Sequence, residues 1–219
     1  MAACLVIDTS LNACSLGLFD ADACLFQISE PMTRGQQERL PVMAAEAFAA
    51  TGLKPQNLGL MAVTLGPGSF TGVRVGLSFA KGLAVGANVP LKGIGTLEAL
   101  GHHEDVLAQS RLAAIQGGRG QIYVQAFPDG AARTFDMAEP DALTAFAQVT
   151  PLAFLTGPTA DSLSPFWPQA RILPQTWPSL AAIYTLAEKG GHDDMTPLYM
   201  READAIASTR GIITLNAAP

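Results

Sequence analysis

The stretch that most constrains this chain is Gly66-Pro67-Gly68-Ser69-Phe70-Thr71-Gly72. An apolar run, Leu60–Leu65, leads into it, and a long apolar helical pattern, Val73–Ala87, leads out. The stretch therefore reads as a strand, a glycine-rich turn and a helix. Glycine is needed in such turns where φ is positive or where backbones approach closely. The turn also aims backbone N–H groups at whatever lies over the helix N-terminus, which favours an anion. Local chemistry favours a plainer reading: a tight connection with Ser69 or Thr71 as N-cap. Neither Gly66 nor Gly68 continues as a Walker A loop, and Thr71 stands where the dinucleotide fingerprint needs its third glycine.

A chain of 219 residues suits one large domain or two small ones. Its 49% hydrophobic content is ample for a core, while only 15% of its residues are charged. So apolar and sparsely charged a chain is expected to cover part of its surface with a partner. The net charge of −6 argues against free-standing binding to nucleic acid, because no run of basic residues interrupts it. The three cysteines, Cys4, Cys14 and Cys24, form no CxxC pair and no even-numbered framework. They read as buried reduced thiols, and the chain as cytoplasmic. Asp8 breaks the first apolar run and no basic segment precedes it, so no signal peptide is read there.

Taken in order, Cys4–Asp8, Ala13–Phe19 and Cys24–Ser29 predict an antiparallel meander. The first strand ends on Asp8-Thr9-Ser10. A carboxylate followed by hydroxyls on a turn can hold hydrated Mg²⁺ and phosphate, but such residues more commonly bond turn amides. Gln36–Ala50 predicts a helix with Leu40, Met43, Ala44, Ala47 and Phe48 on one face and Val42, Ala45 and Ala49 on a second. The helix after the glycine turn is apolar nearly all round, with Arg74, Ser78 and Lys81 as its polar stripe. Gly72 and Gly76, and again Gly82 and Gly86, lie four apart, which lets another helix approach. A helix this apolar is covered on most sides, by its own domain or by a partner. Pro90–Gly95 is a strand and Thr96–Leu107 a helix, with a domain boundary near His102–Asp105. Arg111–Gln116 and Gln121–Phe127 form a hairpin that echoes the N-terminal meander and hints at duplication. Pro140–Ala147 and Ser179–Lys189 read as helices, Leu152–Thr156 as a strand, and Pro197–Arg201 as an extended element.

Self-sufficient catalysis finds little support. His102, His103 and His192 make no metal-binding pair on a helix. No GxSxG elbow occurs. The carboxylates Asp8, Glu38, Glu46 and Glu98 are scattered.

Ile7-Asp8-Thr9-Ser10, Ala13-Cys14-Ser15, Glu38-Arg39-Leu40-Pro41 and Gly66–Gly76 together closely resemble the TsaB (YeaZ) family of tRNA threonylcarbamoyladenosine biosynthesis. Arg119–Tyr123 and Pro197–Arg201 resemble its later landmarks. The resemblance implies an α/β fold of two actin-like (RNase H-like, ASKHA) domains, the second reduced. We place the first at 1–103 and the second at 104–219, with the tail after about 195 packing back on the first. It implies a non-catalytic partner of TsaD, which carries the metal-binding histidines and the active site. It also implies work alongside the ATPase TsaE and the carbamoyl-adenylate-making TsaC, with tRNA reached through the complex. The product is the threonylcarbamoyl group on the adenosine beside the anticodon in tRNAs reading ANN codons. Interface candidates carried over from the family are Arg39, Val42, Met43, Glu46, Val73, Leu77 and Lys81. No cofactor of its own is expected; ATP and Mg²⁺ would bind at the assembled complex. Alone, the same apolar helices would pair two copies into a homodimer. The competing expectation is an actin-like nucleotide hydrolase using Asp8, Thr9, Ser10, Gly68 and Ser69. Two departures weaken any private catalysis: Gln36-Gln37 replaces a family histidine, and Gln116-Gly117-Gly118 replaces an aspartate.

Overall fold

The computed structural model describes residues 3–21 and 23–200. The expected meander forms as β1 (Ala3–Asp8), β2 (Ala13–Asp20) and β3 (Ala23–Pro31), all antiparallel. The chain then crosses through α1 (Gln36–Thr51) to β4 (Leu58–Gly66), which pairs parallel with β1. It crosses again through α2 (Phe70–Ala87) to β5 (Leu91–Gly95), parallel with β4. The resulting order is β3-β2-β1-β4-β5.

The second half repeats this order. After α3 (Thr96–Gly101) come β6 (Arg111–Gln116), β7 (Gln121–Phe127) and β8 (Ala132–Asp136), again antiparallel. Then follow α4 (Pro140–Val149), β9 (Phe154–Thr156), α5 (Ala160–Leu163) and β10 (Arg171–Ile172). β9 is parallel to β6, and β10 to β9. Read from its antiparallel edge, this sheet is β8-β7-β6-β9-β10, strand for strand the topology of the first. Its last two strands are only 3 and 2 residues long, so the repeat is reduced. The duplication hinted at by two hairpins thus extends to whole sheets.

Each sheet buries both faces. In the first, Leu5, Ile7, Leu16 and Leu18 pack against Leu40 and Met43 of α1 and Leu77 of α2. On the opposite face, Val6, Ala62 and Ile94 pack against Ile183 and Tyr184 of α6 (Leu180–Glu188), where Tyr184 stacks on Phe19 at 5.0 Å. The second sheet packs Leu112 and Val124 against Leu143, Leu163 and Trp167, and its other face meets Leu97 and Leu100 of α3. α3 thus lies between the sheets. Ser69 and Ser179 cap α2 and α6, accepting from the N–H groups of Gly72 (3.2 Å) and Ala182 (3.1 Å).

Several elements differ from the sequence reading, α5 and β10 among them, neither of which it expects. The helix expected over Thr96–Leu107 stops at Gly101, and a short 3₁₀ turn follows at Glu104–Val106. Buried Arg111 holds that segment, donating to the carbonyls of Gly101, Leu107 (2.9 Å) and Gln109 (3.1 Å). α2 begins at Phe70, three residues before the periodic run. β8 was not expected at all, because its mostly exposed edge position imposes no alternation.

Candidate functional site: a closed turn beside an open helix pair

Two places emerge from the sequence, and the chain treats them oppositely. The first is the Asp8 turn. β1 runs in the sheet centre, so its last residue, Asp8, is fully buried. Asp8 Oδ1 accepts from Ser10 N–H (3.0 Å), Ser10 Oγ (2.6 Å) and Thr64 Oγ1 (2.6 Å). Oδ2 has no hydrogen-bond partner among the described residues. Burial pushes the carboxyl above its usual range, and the bonds from Ser10 and Thr64 oppose that only in part.

The glycine turn closes over this corner. Thr9 Oγ1 donates to the Gly72 carbonyl at 2.7 Å, and Ser69 N–H donates to the Ser10 carbonyl at 2.7 Å. A Cβ at Gly68 would strike the Ser10 carbonyl, and one at Gly72 the Thr9 carbonyl. Gly66 sits at φ 96°, which also calls for glycine. The glycines therefore serve a backbone-on-backbone approach. The structure does bring Asp8, Thr9, Ser10, Gly68 and Ser69 together. Yet Asp8, Thr9 and Ser10 are at most 1% exposed, while Gly68 and Ser69 face outward. The arrangement presents no carboxylate oxygen to a metal–phosphate group, so these residues do not fit one as they stand. Among the described residues, no set of three or more His, Cys, Asp or Glu is placed to hold a metal ion.

The second place is the outer side of α1 and α2. Between these helices runs a groove of about 480 Å³, with apolar walls from Leu40, Pro41, Phe70, Val75 and Phe79. Val42, Phe70 and Val85 are 49%, 56% and 82% exposed. Around them lie Ala45, Ala49, Gly82 and Gly86, all exposed and small. Of the seven interface candidates, four lie outward: Arg39, Val42, Glu46 and Lys81. Met43, Val73 and Leu77 require correction, since each is no more than 5% exposed and Met43 and Leu77 belong to the chain's own core. Helical periodicity marks two apolar faces but cannot say which one the sheet takes. The outward residues missed by that reading are Phe70 and Val85; Phe70 lay hidden inside the glycine motif.

Charge on this face is held in place. Arg39 makes a two-pronged bond to Glu30 (2.7 and 2.8 Å) and a second to Glu46 (2.9 and 3.1 Å). The hydrogen bonds from Arg39 hold the Glu30 carboxyl below its ordinary value. Arg74 lies over the Phe70 ring at 3.7 Å and donates to the Tyr199 hydroxyl at 2.9 Å. Tyr199 belongs to a strap, residues 192–200, that sequence reading caught only at its end. Lys92 pairs with Asp193 at 2.7 Å, Lys81 donates to the Met195 carbonyl at 3.1 Å, and Leu198 N–H donates to the Leu65 carbonyl at 2.8 Å. Arg201 and the tail after it lie outside the described residues.

Burial lifts the thiols of Cys4 and Cys14, to about 12 and about 11, so both stay protonated; Cys24 is exposed. No helix among the described residues is long and apolar enough to cross a membrane.

The family model described as "TsaD: tRNA N6-adenosine threonylcarbamoyltransferase" matches residues 30–210. The chain is 36% identical over 121 residues to the tRNA threonylcarbamoyladenosine biosynthesis protein TsaB of Escherichia coli, covering 54% of this chain and 52% of that one. It is 32% identical over 146 residues to a tRNA N6-adenosine threonylcarbamoyltransferase of Thermus thermophilus, covering 63% of this chain and 44% of that one. The chain thus spans about half the length of the curated relatives it matches. Its fold is that of a solved Pseudomonas aeruginosa protein described as similar to peptidase YEAZ, with a TM-score of 0.77 and 23% identity over 92% of this chain and all of that one. Two duplicated sheets, the second reduced, make this the actin-like α/β fold expected above. The chain belongs to the family whose model is described as TsaD, tRNA N6-adenosine threonylcarbamoyltransferase, and over about half its length it is similar to curated TsaB proteins.

Proposed function

We propose that this chain is a non-catalytic partner of TsaD in forming the threonylcarbamoyl group on the adenosine next to the anticodon of tRNAs reading ANN codons. The observation that carries this reading is the open α1–α2 face, apolar and edged with fixed charges, beside an Asp8 turn that is closed. The family model described as TsaD matches residues 30–210, which include both helices, so a related pair of helices is the natural complement. Outward Val42, Phe70 and Val85 supply the apolar centre, with Arg39, Glu46 and Lys81 at the rim. Further parts of the reading are TsaE as a second partner, tRNA engaged through the complex, ATP and Mg²⁺ bound only by the assembly, a homodimer when alone, and a cytoplasmic location.

Mixing the chain with TsaD tests the reading. A stable 1:1 complex is expected by sedimentation. Val42→Glu with Val85→Glu is expected to weaken it at least tenfold, while the free chain keeps its native circular dichroism spectrum, since both sites are exposed. Failure of the wild-type chain to bind TsaD at micromolar concentration contradicts it. The nucleotide-hydrolase alternative has no exposed carboxylate to support it; turnover of Mg-ATP by the chain alone, lost in Asp8→Ala, would restore it.

A further inference from the structure

One cation at the mouth of the α1–α2 groove is held in place without a carboxylate. Phe70 and Arg74 stand four residues apart on α2, so their side chains share one side of the helix, and both line the groove. The Arg74 guanidinium lies 3.7 Å over the Phe70 ring, and its Nε donates to the Tyr199 hydroxyl at 2.9 Å. The Phe70 and Tyr199 rings are 5.6 Å apart. Tyr199 is steadied in turn by the strap, whose Leu198 N–H donates to the Leu65 carbonyl at 2.8 Å. A long, flexible side chain is thus fixed on a ring and at one nitrogen. Its Nη1 and Nη2 donate to nothing among the described residues, and no carboxylate there pairs with it, although Arg74 is exposed.

The neighbouring charges are placed differently. Arg39 is held by Glu30 and Glu46. Lys81 donates to the Met195 carbonyl and lies near Asp194, whose carboxyl is held below its ordinary value by hydrogen bonds from Thr196 and by the Lys81 charge. Glu38 accepts from the Gln37 amide at 2.7 Å. α2 itself carries no acidic residue. Arg74 therefore brings an uncompensated positive charge to an apolar mouth flanked by two exposed rings, Phe70 and Tyr199.

We propose that Arg74 is the charged anchor of this face and takes a carboxylate side chain of TsaD, with Phe70 and Tyr199 holding the guanidinium in position for it. This rests on the reading above that TsaD docks on the α1–α2 face. The planar guanidinium matches the two oxygens of a carboxylate, and the pair is stronger beside apolar walls than in open water. Because the side chain is already ordered, docking loses less entropy in fixing it. Arginine set among aromatic rings is also the composition that dominates binding energy at interfaces.

The test measures binding of TsaD by the full chain. Sedimentation of each variant alone gives its self-association, so that affinities are compared for free protomers. Arg74→Gln is expected to weaken the complex at least tenfold. Tyr199→Phe keeps the ring and loses the hydroxyl. It is expected to weaken the complex about threefold in the wild-type chain and not at all in Arg74→Gln, since its effect passes through the guanidinium. Arg74→Lys puts an amine at the same point. A zero-length carbodiimide then joins that amine to an aspartate or glutamate of TsaD, and mass spectrometry identifies the linked peptides. Arg74→Gln binding as tightly as wild type overturns the proposal and leaves the docking reading standing. Weaker binding by Arg74→Gln, without a cross-link from Arg74→Lys to a TsaD carboxylate, also overturns it, because Arg74 then only supports the face. No binding by the wild-type chain at micromolar concentration overturns the docking reading and this anchor with it.

Discussion

At the scale of single residues, the account turns on Asp8. Its carboxyl is buried and its pKa raised, so the folded state favours the protonated form. The sign follows: this group's contribution is fully present below the unfolded carboxyl value, near 4, and is lost as pH rises through the higher folded value. Asp8→Asn is therefore expected to remove a loss of stability that sets in above about pH 4. Thermal melts of both proteins across that range check it, and parallel pH profiles would contradict it. Gly68→Ala and Gly72→Ala are each expected to destabilise by about 1–3 kcal/mol or more, because the added carbon meets a backbone carbonyl that cannot yield cheaply. Arg111→Met strands several buried carbonyls and should cost about 3 kcal/mol in denaturant unfolding. The need for glycine at 68 and 72 was legible from the motif. Its cause was not, since Thr9 and Ser10 lie some sixty residues away in the chain. Arg111 gave no signal either, because a lone arginine opening a strand looks like any surface cation.

At the scale of elements, local pattern located almost every strand and helix of the first sheet. The i, i+3, i+4 spacing of Leu40, Met43, Ala44 and Ala47 marks one apolar face of α1, and that is the face the sheet buries. Pro41 did not break that helix: it stands in the second turn, where it removes one bond and keeps the rest. In α2, apolar all round, periodicity cannot rank the faces; Val73 and Leu77, carried over from the family as interface candidates, are claimed by the chain's own interior. α3 was read too long, because only tertiary contact ends it: a Cβ at Gly101 would strike the Phe127 ring, and Arg111 gathers the carbonyls beyond. The strap was nearly invisible, being short polar contacts of His192, Asp193 and Met195 with distant partners. Its hold is testable at this scale. Tyr199→Ala removes a ring from Phe70 and a hydrogen bond from Arg74, both partly exposed, and should cost about 1 kcal/mol. Hydrogen exchange should quicken at the start of α2 and remain unchanged in β6 and β7. Equal quickening in both regions would mean that the strap stabilises the whole molecule rather than one helix end.

At the scale of the whole molecule, two copies of one sheet topology stand in unequal states. The first is large, with helices on both faces; the second has shrunk to short parallel strands. The corner where the Asp8 carboxylate could meet phosphate is filled by the chain's own turn, while the outer helices of the larger half stay open. The central claim is that this protein acts through its α1–α2 face and not through the Asp8 turn. The most direct test is reconstitution of threonylcarbamoyladenosine on unmodified tRNA with TsaD, TsaE, TsaC, ATP, threonine and bicarbonate. Wild-type chain, the Val42→Glu/Val85→Glu variant and Asp8→Asn are compared, each checked for folding. The account predicts that modification requires the chain, falls at least tenfold with the face variant, and is preserved within about twofold by Asp8→Asn. Full activity from the face variant together with loss in a folded Asp8→Asn protein would contradict it.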